Sequence, residues 1–87
     1  MKLVLAIVRD TDDSIVINSL VTRGYRVTRM ASTGGFLRRG NVTLLIGAEP
    51  EQVPAVIDVF HQVCSPPEVG QHRATLFVVD APHFEQV

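Results

Sequence analysis

The chain has 87 residues, 46% of them hydrophobic, 20% charged and only 6% aromatic, with a formal net charge of −1. These values fit one small globular domain over residues 1–87 and exclude a disordered tail, a collagen-like repeat and a disulfide scaffold. A lone cysteine, Cys64, closes no internal bridge and favours a reducing, cytoplasmic setting, and the longest apolar run, residues 3–8, is far below the about 20 residues of a membrane-spanning helix.

Residues 3–8 alternate Leu3, Leu5 and Ile7 with Val4, Ala6 and Val8, which predicts a strand apolar on both faces. Asp10, Asp12 and Asp13 follow with Thr11, residues suited to capping a helix and to its positive dipole end. Val16, Ile17, Leu20 and Val21 then recur at helical spacing, and Gly24 stands where a helix C′ residue belongs. Residues 25–32 read as a second strand, with Arg26, Thr28 and Met30 on one face and Val27, Arg29 and Ala31 on the other. A glycine-punctuated loop over residues 33–40 leads to a third strand, residues 41–47, and so short a connection predicts an antiparallel hairpin. Val53, Val56, Ile57, Phe60, Val63 and Cys64 mark a second amphipathic helix, with Pro50 and Pro54 tolerable at its first turn. Residues 65–70 break that helix, and residues 74–80 make a last apolar strand. The order β-α-β-β-α-β is the ferredoxin-like, α+β arrangement: an antiparallel sheet with two helices on one face. Two helices cover one face of a four-stranded sheet, so the apolar second face predicts self-association.

Charge is segregated along the chain. Residues 14–48 carry five Arg and no acid, whereas residues 49–87 carry six acids against Arg73. With a net charge of −1, the chain does not look like a general nucleic-acid binder. The third strand also lacks the stacking aromatics of an RNA-binding sheet. Enzyme signals are absent: His61, His72 and His83 lack ligand-like spacing, so no metal site is expected, and Ser14 and Ser32 have no nucleophile elbow. Cys64 continues the apolar helix face and reads as core, and His61 reads as a solvated side chain. Neither an enzyme nor a resident cofactor is expected.

The informative stretch is residues 26–47. Gly34 and Gly35 permit the backbone geometry of an anion nest, and Phe36 is an aromatic in a loop. Arg26 and Arg29 bring charge, while Thr28 and Asn41 offer polar edges. Together they describe a nucleotide site; alternatively the glycines serve a hairpin turn with Phe36 packed locally.

The opening residues 1–10, the block Gly24-Tyr-Arg-Val-Thr-Arg-Met-Ala-Ser-Thr-Gly-Gly-Phe-Leu-Arg-Arg-Gly-Asn41 and the segments 43–47, 74–79 and 83–87 resemble the PII-like cyclic di-AMP receptor family. That resemblance implies a cytoplasmic, PII-like homotrimer that binds a purine (cyclic di)nucleotide, cyclic di-AMP foremost, in clefts between subunits. It also implies a signal-transduction role and a regulatory protein target whose identity it leaves open. By position, the family's ligand contacts fall on Arg26, Thr28, Gly35, Phe36, Leu37, Asn41, Gly47, Phe77 and Gln86. Two departures stand out. Gly24 replaces an asparagine common in the family, and residues 65–73 are a much shorter connection than its usual loop between the second helix and the last strand. The rival reading is a PII-like or ACT-like regulatory or assembly module that binds another small ligand or a protein partner without cyclic di-AMP.

Overall fold

In the computed structural model, residues 1–30, 40–67, 70, 72–83, 85 and 87 are described. The elements run β1 (Lys2–Arg9), α1 (Asp13–Thr22), β2 (Arg26–Met30), β3 (Asn41–Ala48), α2 (Val53–Val63) and β4 (Ala74–Asp80). A single 3₁₀ turn, Pro50–Gln52, leads into α2 and places Pro54 in the first helical turn, where a missing N–H costs nothing. The strands form one antiparallel sheet in the order β2-β3-β1-β4, as the ferredoxin-like reading predicts. The predicted hairpin of the second and third strands is present.

Both helices share one core with one face of the sheet. Val16 and Leu20 of α1 and Val56, Val59 and Phe60 of α2 close over Val4, Ala6, Val8, Val42, Leu44, Ile46 and Ala48, all buried. Those strand positions are all even-numbered, so the pleat sends them to one side. Burying a Leu or Ile fully contributes about 1.5–3 kcal/mol, so Leu44 and Ile46 are major contributors. Cys64 joins the same core, as its place on the apolar helix face predicts.

α1 ends in a Schellman turn. The Tyr25 N–H donates to the Leu20 carbonyl at 3.1 Å and the Gly24 N–H to that of Val21 at 3.0 Å. Gly24 has φ +91°, a region that L side chains rarely adopt. The start of α1 differs from expectation. Asp12 occupies the N-cap position, but its carboxylate makes no cap hydrogen bond. It accepts instead from the Ser65 N–H at 3.2 Å and the Ser65 hydroxyl at 2.7 Å, with the Arg9 guanidinium at 3.4 Å. Arg9 also donates to the carbonyls of Ser65 and Pro66 at 2.5 and 3.3 Å. A nearly fully buried carboxylate is stable only when so many donors replace its water. The outcome is a latch joining the β1–α1 turn to the root of the α2–β4 connection.

Candidate functional site

Of the polar residues singled out above, Arg26, Thr28 and Asn41 lie on the face of the sheet opposite the helices. Directly opposed residues in antiparallel strands lie on the same face, so the register can be read straight across the sheet. One row runs Arg26, Gly47, Leu3, Val79 from the β2 edge to the β4 edge. The next runs Thr28, Leu45, Leu5, Phe77, and a third Met30, Thr43, Ile7, Thr75. The first two rows show a gradient: Arg26, Gly47 and Thr28 lie together at the β2–β3 edge, whereas their β4 ends are Phe77 and Val79. Three strand spacings of about 4.8 Å separate Thr28 from Phe77, roughly 14 Å.

Asn41 opens β3, opposite Arg9 and half-buried, at the end of the loop whose last residue, Gly40, has φ +91°. Four residues of strand, about 13 Å, separate it from Leu45, the partner of Thr28. The structure thus brings Arg26, Thr28 and Gly47 together, sets Asn41 at the loop end of the same ladder and puts Phe77 on the far edge. Gly35, Phe36, Leu37 and Gln86 lie outside the described residues.

Gly47 is informative because no described residue requires it. Among the described residues, a Cβ built there would meet the Met1 thioether and methyl at 3.8–3.9 Å, ordinary contact. Arg29, by contrast, leaves the candidate site. Its Nε donates to the Asp13 carboxylate at 2.6 Å, on the helix side of β2. The sequence reading grouped Arg29 with Arg26 as ligand charge; the alternation of the strand and the buried acid of α1 separate them. Of the described strand residues on the open face, none is acidic.

Among the described residues, no group of three or more His, Cys, Asp or Glu could hold a metal. Burial pushes the Cys64 thiol up, the Asp12 carboxylate adds to this, and Arg9 and Arg73 oppose it. Cys64 is therefore a protonated core residue at neutral pH rather than a nucleophile. No helix among the described residues is long and apolar enough to cross a membrane.

Sequence reasoning missed the Asp12–Ser65 latch, whose partners are 53 positions apart. It also missed a cleft between α2 and β4 edged by His61, His72 and Arg73. No spacing rule links these residues in the chain.

Comparison with known proteins adds two findings. A family described as cyclic-di-AMP receptor matches residues 1–69, from β1 through α2, which leaves Phe77 and Gln86 beyond the match. The chain is also similar to a functionally unknown protein from Pediococcus pentosaceus, seen in a crystal structure. The two are 32% identical with a TM-score of 0.77, over 99% of this chain and 96% of that one.

Proposed function

The chain belongs to the cyclic-di-AMP receptor family, and from that premise we propose that it binds cyclic di-AMP between the subunits of a homotrimer and acts as a cytoplasmic signal receptor rather than an enzyme. The observation that carries this reading is the gradient across the open face. Arg26, Thr28 and Gly47 sit at one edge and Phe77 about 14 Å away at the other. Two edges that far apart in one chain can close on the same ligand when they come from neighbouring copies. A packed second copy would also cover Leu3, Leu5, Ile7 and Val79, apolar side chains that otherwise face water.

In this arrangement Arg26 meets phosphate with its guanidinium fork, and Thr28 and Asn41 read polar edges. Phe36 stacks on an adenine, and the amides of Gly35 and Leu37 approach a phosphate. Gly47 leaves room for the ligand beside Arg26. Phe77 and Gln86 close the site from the adjoining subunit. A regulatory protein target would then read the liganded surface.

Calorimetry with cyclic di-AMP, ATP and AMP, alongside sedimentation, tests the reading. A trimer mass with saturable heat for cyclic di-AMP is the expected result. A stable monomer, or no heat with any adenine nucleotide at millimolar concentration, overturns it. The short connection over residues 65–73 favours a second outcome. A trimer without cyclic dinucleotide binding would identify a regulatory or assembly module of the same fold.

A further inference from the structure

On the helix side of the sheet, away from Arg26 and Gly47, a cleft of about 220 Å³ opens between α2 and β4. Ile57 and Phe60 of α2 and Leu76 of β4 give it an apolar floor, and His61, His72 and Arg73 stand around it. The volume is several times the about 30 Å³ share of a water molecule and below the about 300–1,000 Å³ of drug-sized sites. It suits a metabolite-sized fragment, not a dinucleotide.

The charge at this cleft is unexpected. Residues 49–87 hold six acids and one Arg. Yet that one Arg and two of the chain's three His line the same cleft, and no carboxylate does so among the described residues. A guanidinium and two imidazoles in one lining disfavour a cation and offer a fork plus ring N–H donors to an anionic head. Pro67, in the lining, directly follows Ser65 and Pro66, which Asp12 and Arg9 clamp from the β1–α1 turn.

We propose that this cleft is a second binding site, for a small organic anion: a carboxylate or phosphate head on Arg73, His61 and His72, with an apolar body on Ile57, Phe60 and Leu76. The site lies on the opposite side of the sheet from Arg26, Thr28, Gly47 and Phe77 and does not depend on them.

Titration of the isotopically labelled full-length chain with phenyl phosphate, benzoate, benzyl alcohol and inorganic phosphate, read by NMR, tests it. Saturable shifts of the His61 and His72 rings and the Arg73 side chain are expected with at least one aromatic anion, and the tighter one identifies the head. Benzyl alcohol lacks the charge and inorganic phosphate the apolar body, so each should bind more weakly. Arg73 is exposed, so Arg73→Gln should fold normally and bind the anion about tenfold or more weakly, the loss of a charged hydrogen bond. His72→Gln should give a smaller loss. Cyclic di-AMP affinity should be unchanged in both, and Arg26→Ala should leave anion binding intact, so this site and the nucleotide site fail separately. Absence of saturable shifts with both anions at about 10 mM, a concentration well above weak millimolar affinity, overturns the proposal. So does equal binding by wild type and Arg73→Gln, or by the neutral alcohol.

Discussion

The two faces of the sheet are built from the same four strands and similar side chains, yet they have opposite fates. Toward the helices, Val4, Ala6, Leu44 and Ile46 are 0% exposed. On the other face Leu3, Leu5, Ile7 and Leu45 stay half-buried, and at the edge Phe77 is 54% exposed. Intrinsic hydrophobicity does not distinguish the two; cover does. One face is closed by helices that its own chain supplies within a few dozen residues. The other carries no helix among the described residues, and its apolar side chains stay partly exposed.

The largest test of that contrast is Leu44→Ala. Emptying a fully buried position on the helix side should cost about 2–5 kcal/mol in chemical denaturation. Phe77→Ser on the open face should cost the single chain far less, because that side chain is mostly in water already. Its signature would be a smaller sedimenting mass and a thermal midpoint that no longer rises with protein concentration. Equal stability losses for the two variants at high dilution would erase the distinction between the faces.

Ligand binding probes the polar edge of the open face. Phe36→Ala should weaken cyclic di-AMP binding by about 1–3 kcal/mol, the worth of a base stack. Arg26→Ala should weaken it and flatten its salt dependence in calorimetry at two ionic strengths. Arg29→Ala should leave affinity unchanged and lower stability by about 1–3 kcal/mol, since it strips the buried Asp13 carboxylate, on the helix side of β2, of its guanidinium partner. A large affinity loss in Arg29→Ala would return that residue to the site. Gly47→Ala should fold within about 0.5 kcal/mol of wild type. Any loss of ligand or assembly in that variant then comes from what approaches the face.

The smallest effect belongs to the ion pair at the end of β1 and β4. The Lys2 ammonium, by hydrogen bond and by charge, holds the exposed Asp80 carboxyl below its ordinary range. A lowered folded-state value adds stability above the ordinary carboxylate range and loses it as pH falls through the lowered value. Asp80→Asn should therefore alter only the acid limb of a stability–pH profile, and only slightly, because the pair is solvent-exposed.

The element order and the two-faced apolar strands were legible in the residues alone. Period-two and period-3.6 patterns arise between near neighbours, and Gly24 and Pro54 mark local backbone needs that any tertiary setting must meet. The resemblance carried by residues 24–41 likewise rests on contiguous residues. Tertiary structure decided the rest. Asp12 reads as a helix cap from its neighbours, but it meets Ser65 only because α2 packs beside α1 and brings the loop root to it. Arg29, on the strand face opposite Arg26, reads as ligand charge until α1 packs on that face and brings Asp13 to it. The cleft collects His61, His72 and Arg73 from a helix, a loop and a strand end. Such groupings depend on which surfaces meet once the apolar face is buried, and a buried carboxylate takes whichever donors that packing delivers.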